Sequence, residues 1–137
     1  TATRFCWDCI DGLTETNPYL GMAVLTFLDH GPDRARAEAA FDRLSPLIAN
    51  DAELDPHTAG EAHFPLDFAP HPDRLGRRLF ADEVIEEHLD AVVGGQSEDG
   101  SWAFNWPAWT PVVRHEWGGF VTVARLMTLR DYGRLSA

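Results

Sequence analysis

The sequence predicts an all-α fold built of antiparallel helical hairpins. Three observations lead there. Apolar residues recur at helical spacing through most of the chain, the segments with this spacing begin and end on capping residues, and no convincing sheet pattern appears. With 137 residues, 45% of them hydrophobic, the chain suits one domain around one core.

A first helix is expected over residues 1–13, where Phe5, Cys6, Cys9, Ile10 and Leu13 share one stripe. Asn17-Pro18 starts a second, because Asn caps free amides and Pro fits the first helical position. Residues 19–28 are apolar on most sides, which predicts a buried helix, and Gly31-Pro32 stops it. Pro32-Asp33 opens a third, with Ala37, Ala40, Phe41, Leu44 and Ile48 inward and Arg34, Arg36, Glu38, Asp42 and Arg43 outward. Pro46 lacks an amide and clashes with the preceding turn, so it is expected to kink or end this helix.

Residues 50–80 break the pattern: Pro56, Pro65, Pro70, Pro72, Gly60 and Gly76 leave no room for a helix of ordinary length. A connection this long in a compact domain reads as functional or mobile. Periodicity returns over residues 81–93, with Val84, Ile85, His88, Leu89, Val92 and Val93 on one face, and Gly94-Gly95 closes it. A last helix is predicted from Trp117 to about Tyr132, with Phe120, Val121, Ala124, Met127 and Leu129 inward and Gly133 as cap. Val121-Thr122-Val123 also fits the start of a strand. The sum is five helices and two long loops.

Asp and Glu number 22 against 11 Lys and Arg, a net charge of -11, which argues against nucleic acid as a partner because affinity for phosphate backbones comes from cations. No apolar run approaches the ~20 residues of a membrane span. All eleven basic residues are arginine, as expected of GC-rich bacterial coding. The only cysteines form Cys6-Trp7-Asp8-Cys9. Packed core thiols, a redox dithiol and half of a zinc site are the three readings of such a pair. Two cysteines make no secreted disulfide scaffold, which points to a cytoplasmic location. No metal or other cofactor is expected.

The richest segment runs Gly94-Gly95-Gln96-Ser97-Glu98-Asp99-Gly100-Ser101-Trp102 between two predicted helices. Asp99-Gly100 supplies a tight bend, the Gln96 amide suits backbone groups at helix ends, and the Trp102 ring suits covering them. The spelling Gln-x-x-x-Gly-x-Trp resembles the QW repeat of squalene–hopene cyclases and other class II terpene cyclases, related to turns in protein prenyltransferase β subunits. The resemblance covers seven residues in one clear copy. It implies an α/α toroid, in which helical hairpins circle an apolar cavity, and gives Gln96, Gly100 and Trp102 a scaffold role. The Asp-x-Asp-Asp catalytic pattern of the cyclases is absent, and the prenyltransferase zinc set has no convincing counterpart. A full toroid needs about a dozen helices. Residues 1–137 are therefore expected to be the C-terminal part of a longer toroid, completed by the rest of the protein or by a homo-oligomer partner.

Trp102, Trp106, Trp109 and Trp117 fall close together, joined by Phe104 and Phe120. Such a cluster either lines a pocket for an apolar, cationic or sugar ligand or holds a long loop down. His57, Glu61, His63, Asp67 and His71 punctuate the irregular segment at a spacing that matches no zinc signature. They read either as a solvated, Pro-stiffened loop with capping acids or as a catalytic acid/base pair of Glu61 with His63, with Asp67 facing a pocket. His30 reads as a helix-end cap and His88 as a core residue.

Three functions follow as expectations. The first is a terpene-cyclase/prenyltransferase-like domain offering Trp102, Phe104, Trp106, Trp109 and Trp117 to an apolar small molecule. The second is a carbohydrate-active α/α barrel using Glu61 and Asp67. The third is a non-enzymatic helical scaffold for another protein.

Overall fold

The computed structural model describes residues 1–135, and within them every regular element is helical. Six α-helices run in the order α1 (Ala2–Asp11), α2 (Pro18–His30), α3 (Arg34–Asn50), α4 (Pro65–Phe68), α5 (Asp82–Gly94) and α6 (Pro111–Asp131). A 3₁₀ turn, Leu75–Leu79, lies between α4 and α5.

The caps fall where the side chains dictate. Asn17 accepts the Leu20 amide at 3.0 Å to start α2, and Asp33 accepts the Arg36 amide at 3.0 Å to start α3. His30 sits at the end of α2, its Nδ1 2.8 Å from the Thr26 carbonyl. The short link at residues 31–33 folds α3 back along α2. Val24, Leu25 and Leu28 meet Ala37, Ala40, Phe41, Leu44 and Ile48 there in the first of two hydrophobic clusters. Arg43 reaches from α3 to the carbonyls of Leu13 (2.8 Å) and Ile10 (2.7 Å), holding down the end of α1.

Pro46 does not end α3, which continues to Asn50. The missing amide at Pro46 would have bonded the Asp42 carbonyl, and the Ser45 hydroxyl donates to that carbonyl at 3.4 Å instead. Leu44 and Ile48, both fully buried, anchor the helix on either side of the proline. The α1 stripe also differs from expectation. Trp7 and Ile10 are buried, whereas Phe5 and Cys9 are exposed and Cys6 is half-buried. Trp7 wins the inward face because it meets Phe27 edge-on at 5.1 Å and carries the Arg36 guanidinium 4.3 Å above its ring.

The long irregular segment is pinned at several points. Its one α-helical turn, α4, has Asp67 accepting the Phe64 amide at 2.8 Å, and the Leu75 amide donates to Asp29 of α2 at 3.0 Å. Gly76 passes so close to α4 that a Cβ there would lie 2.0 Å from the Phe68 carbonyl oxygen. No other residue type fits that contact. The α4 turn divides the two hydrophobic clusters: Phe68 belongs to the first, and Leu66 and Ala69 to the second with Ile85, Leu89, Trp102 and Leu129. His88 is buried in α5 with Nε2 3.0 Å from the Leu54 carbonyl.

The last helix begins six residues before Trp117, at Pro111, because Thr110 caps it by accepting the Val113 amide at 3.2 Å. Residues 121–123 are helical, not a strand. Of the residues expected inward, Leu129 is buried and Val121 half-buried, but Phe120 and Met127 are exposed. The helix turns that face outward because only its C-terminal part is held. Tyr132 donates to the Ala69 carbonyl at 2.8 Å, and burial pushes its hydroxyl up to about 12. Past Tyr132 the chain closes on Gly133, whose amide bonds Arg130 while the Arg134 amide bonds Leu129.

Candidate functional site: an aromatic row beside a tryptophan-capped turn

The turn at residues 95–102 follows from its own sequence. Gly100 takes φ +84°, a left-handed conformation open to glycine. This lets the Gly100 amide bond Ser97 at 2.9 Å and the Ser97 amide bond Ser101 at 2.8 Å. The Gln96 side chain donates to the Gly100 carbonyl at 2.9 Å, so it braces the turn and not a helix end as expected. Asp99 accepts the Ser101 hydroxyl at 2.7 Å and its amide at 3.0 Å, and these bonds hold its carboxyl below the usual range.

The helix end is served by Trp102. Its indole Nε1 donates to the Val92 carbonyl of α5 at 2.7 Å, and its own amide donates to Thr122 Oγ1 of α6 at 3.1 Å. The ring is buried in the second cluster. Trp102 therefore ties α5 to α6 and is closed to any ligand.

Beyond it the aromatics divide. Phe104 lies 4.8 Å from Trp106, Trp106 meets Trp117 edge-on at 5.4 Å, and Trp117 meets Phe120 edge-on at 5.5 Å. Edge-to-face contacts at these spacings stabilise aromatic pairs beyond simple burial. The result is a continuous row from the loop onto α6, with Trp117 and Phe120 left open. Trp109 does not join the row; 79% exposed, it borders a separate depression of about 340 Å³ with Thr110, Pro111, Arg114 and His115.

The loop acids and histidines are brought together only in part. Tyr19 of α2 donates to Glu61 Oε1 at 3.3 Å and meets the His63 ring edge-on at 4.8 Å, which places Glu61 and His63 around one tyrosine. Partial desolvation and the Glu61 carboxylate raise the Tyr19 hydroxyl. Asp67 has other partners. It caps α4 and lies 3.5 Å from Arg125 of α6, with both side chains largely covered. His71 bonds Asp131 at 2.6 Å. His57 borders a depression of about 740 Å³ with Pro56, Glu87 and Asp90, containing none of the aromatic row. Among the described residues no three His, Cys, Asp or Glu side chains stand close enough to hold a metal, and no helix is long and apolar enough to cross a membrane.

Sequence reasoning missed Tyr19 and Arg125, the residues that take up Glu61 and Asp67. No family model, curated protein or solved structure matches the chain.

Proposed function

We propose that the chain is a section of an α/α toroid of the terpene-cyclase and prenyltransferase type, and that its aromatic row walls a binding site for an apolar small molecule. One observation carries the reading: Phe104, Trp106, Trp117 and Phe120 stack in continuous contact while Trp117 and Phe120 stay open. Large aromatic surface left uncovered beside a braced loop is the usual material of an apolar ligand wall, and ring faces also attract cations. The Gln96–Trp102 turn supports it, since each of Gln96, Gly100 and Trp102 has a structural task there. The remaining wall belongs to other hairpins of the protein or to a second copy.

The carbohydrate reading loses ground because its two carboxylates are differently engaged, Glu61 by Tyr19 and Asp67 by Arg125 and the Phe64 amide. The scaffold reading keeps one specific support, the exposed apolar face of α6.

Farnesol, an isoprenoid alcohol, is the test ligand, followed by tryptophan fluorescence. The expected outcome is a saturable change that Trp106→Ala removes and Trp109→Ala retains. No saturable change, or an equal change in both variants, overturns the reading.

A further inference from the structure

The outermost stripe of α6 has features that nothing among the described residues explains. Val112, Glu116, Gly119, Val123, Leu126 and Arg130 recur at alternating spacings of four and three residues, the seam pattern of paired helices. All six are exposed, and Val112, Phe120 and Val123 are each more than half exposed. Runs of exposed large apolar residues on one helix mark an interaction surface. Gly118 and Gly119 stand in the middle of this helix, where glycine costs about 1 kcal/mol relative to alanine. A Cβ on either would meet nothing within 4 Å, so packing inside the described chain gives no reason for them.

We propose that this stripe pairs with the same stripe of a second copy, antiparallel, about a two-fold axis through Val123. The stripe is self-complementary under that operation. Glu116 and Arg130 stand equally far from Val123 on opposite sides, so each Glu116 faces the partner copy's arginine and two opposite-charge pairs close the ends. Gly119 falls beside the leucine at 126 of the other copy, a gap against a large side chain. Phe120 falls beside the methionine at 127, and the two valines meet on the axis. An isologous interface demands this kind of self-matching.

Both charges lie on the exposed side of the helix, Arg130 while it is paired with Asp131. Glu116 has no ion-pair partner among the described residues, and Arg130 reaches Asp131 through Nε (2.8 Å) and Nη2 (2.7 Å) while staying 63% exposed. The 21 residues of α6 span about 31 Å, so one helix per copy gives a contact at the small end of specific interfaces. The expected dimer is accordingly reversible, with micromolar dissociation. The pairing does not rest on the ligand reading: its failure shows in molecular mass, and the failure of that reading shows in fluorescence.

The test is sedimentation equilibrium of the full chain over a concentration series, with helicity checked for every variant by circular dichroism. The wild type should shift from monomer to dimer. Glu116→Arg and Arg130→Glu alone each replace two attractions by two repulsions and should weaken the dimer by roughly tenfold, and the double variant should recover it. Val123→Asp, which sets two carboxylates against each other on the axis, should give monomer with unchanged helicity. A wild type that stays monomeric throughout overturns the proposal. So does a dimer indifferent to Val123→Asp, or single reversals that the double variant does not rescue.

Discussion

At the scale of single residues, the loop between α3 and α5 is held by pairs that join distant parts of the chain. Asp67 reaches Arg125, and His71 reaches Asp131 across a separation of 60 residues. The second pair carries a pH signature. Hydrogen bonds from Arg130 first, and then from His71, hold the Asp131 carboxyl below the ordinary aspartate value of 3.8. A depressed folded pKa contributes stability that is present above the unfolded value and lost as pH falls through the folded one. Urea unfolding below pH 3.8 should therefore show a loss that Asp131→Asn lacks, while the variant is already less stable at neutral pH. Parallel acid limbs in the two proteins would refute the assignment. These pairs were invisible in the sequence for a physical reason. Neither has a local period, and Glu61, His63 and Asp67 look alike as loop polar groups until α2 and α6 supply Tyr19 and Arg125.

At the scale of elements, the turn between α5 and α6 depends on one indole. Trp102 Nε1 donates to the Val92 carbonyl, one of the last carbonyls of α5, which also takes the Gly95 amide at 3.2 Å. Trp102→Phe keeps an aromatic ring in the second cluster but deletes that donor and part of the buried ring system. The expected cost is about 1–3 kcal/mol, the net worth of one hydrogen bond together with the packing that the smaller ring gives up, read from the urea midpoint at unchanged slope. A cost below about 0.5 kcal/mol would mean that water replaces the indole.

The turn was legible because its residues act on one another within a few positions. The same holds for Asn17 and Asp33 at the starts of α2 and α3. Faces were less legible than ends. In α1 two apolar stripes compete, and only Phe27 and Arg36, which are distant in sequence, select Trp7 over Phe5 and Cys9. In α6 apolar residues lie all round, so periodicity alone could not tell which side the chain itself covers. The start of α6 was hidden because Thr110-Pro111 sits in an aromatic run punctuated by other prolines.

At the scale of the whole molecule, two hydrophobic clusters meet at α4, with Phe80 packed against both, and this sets an order of local stability. The first cluster gathers α2, α3, Trp7, Ile10, Phe68 and Leu75 around fully buried Leu28, Leu44 and Ile48. The second is smaller, and α6 enters it through Leu129, with Val121 half-buried beside it. The only buried residues of α6 are Thr128 and Leu129, so its N-terminal half, residues 111–122, rests on the aromatic row and the Trp102–Thr122 bond. Segments with few buried contacts open locally, whereas core helices open only with the whole fold, whose stability is typically about 5–15 kcal/mol. Amide hydrogen exchange on the monomeric Val123→Asp variant should accordingly show residues 114–120 exchanging orders of magnitude faster than α2 and α3. On the wild type at dimer-forming concentrations the same amides should slow while those of α2 and α3 stay as they were, because pairing stabilises the half of α6 that the chain leaves uncovered. Equal protection of α2 and the first half of α6 in the monomer would show that the helix is held by contacts other than those seen. Protection gained on α2 instead of α6 would place the second copy on a different face.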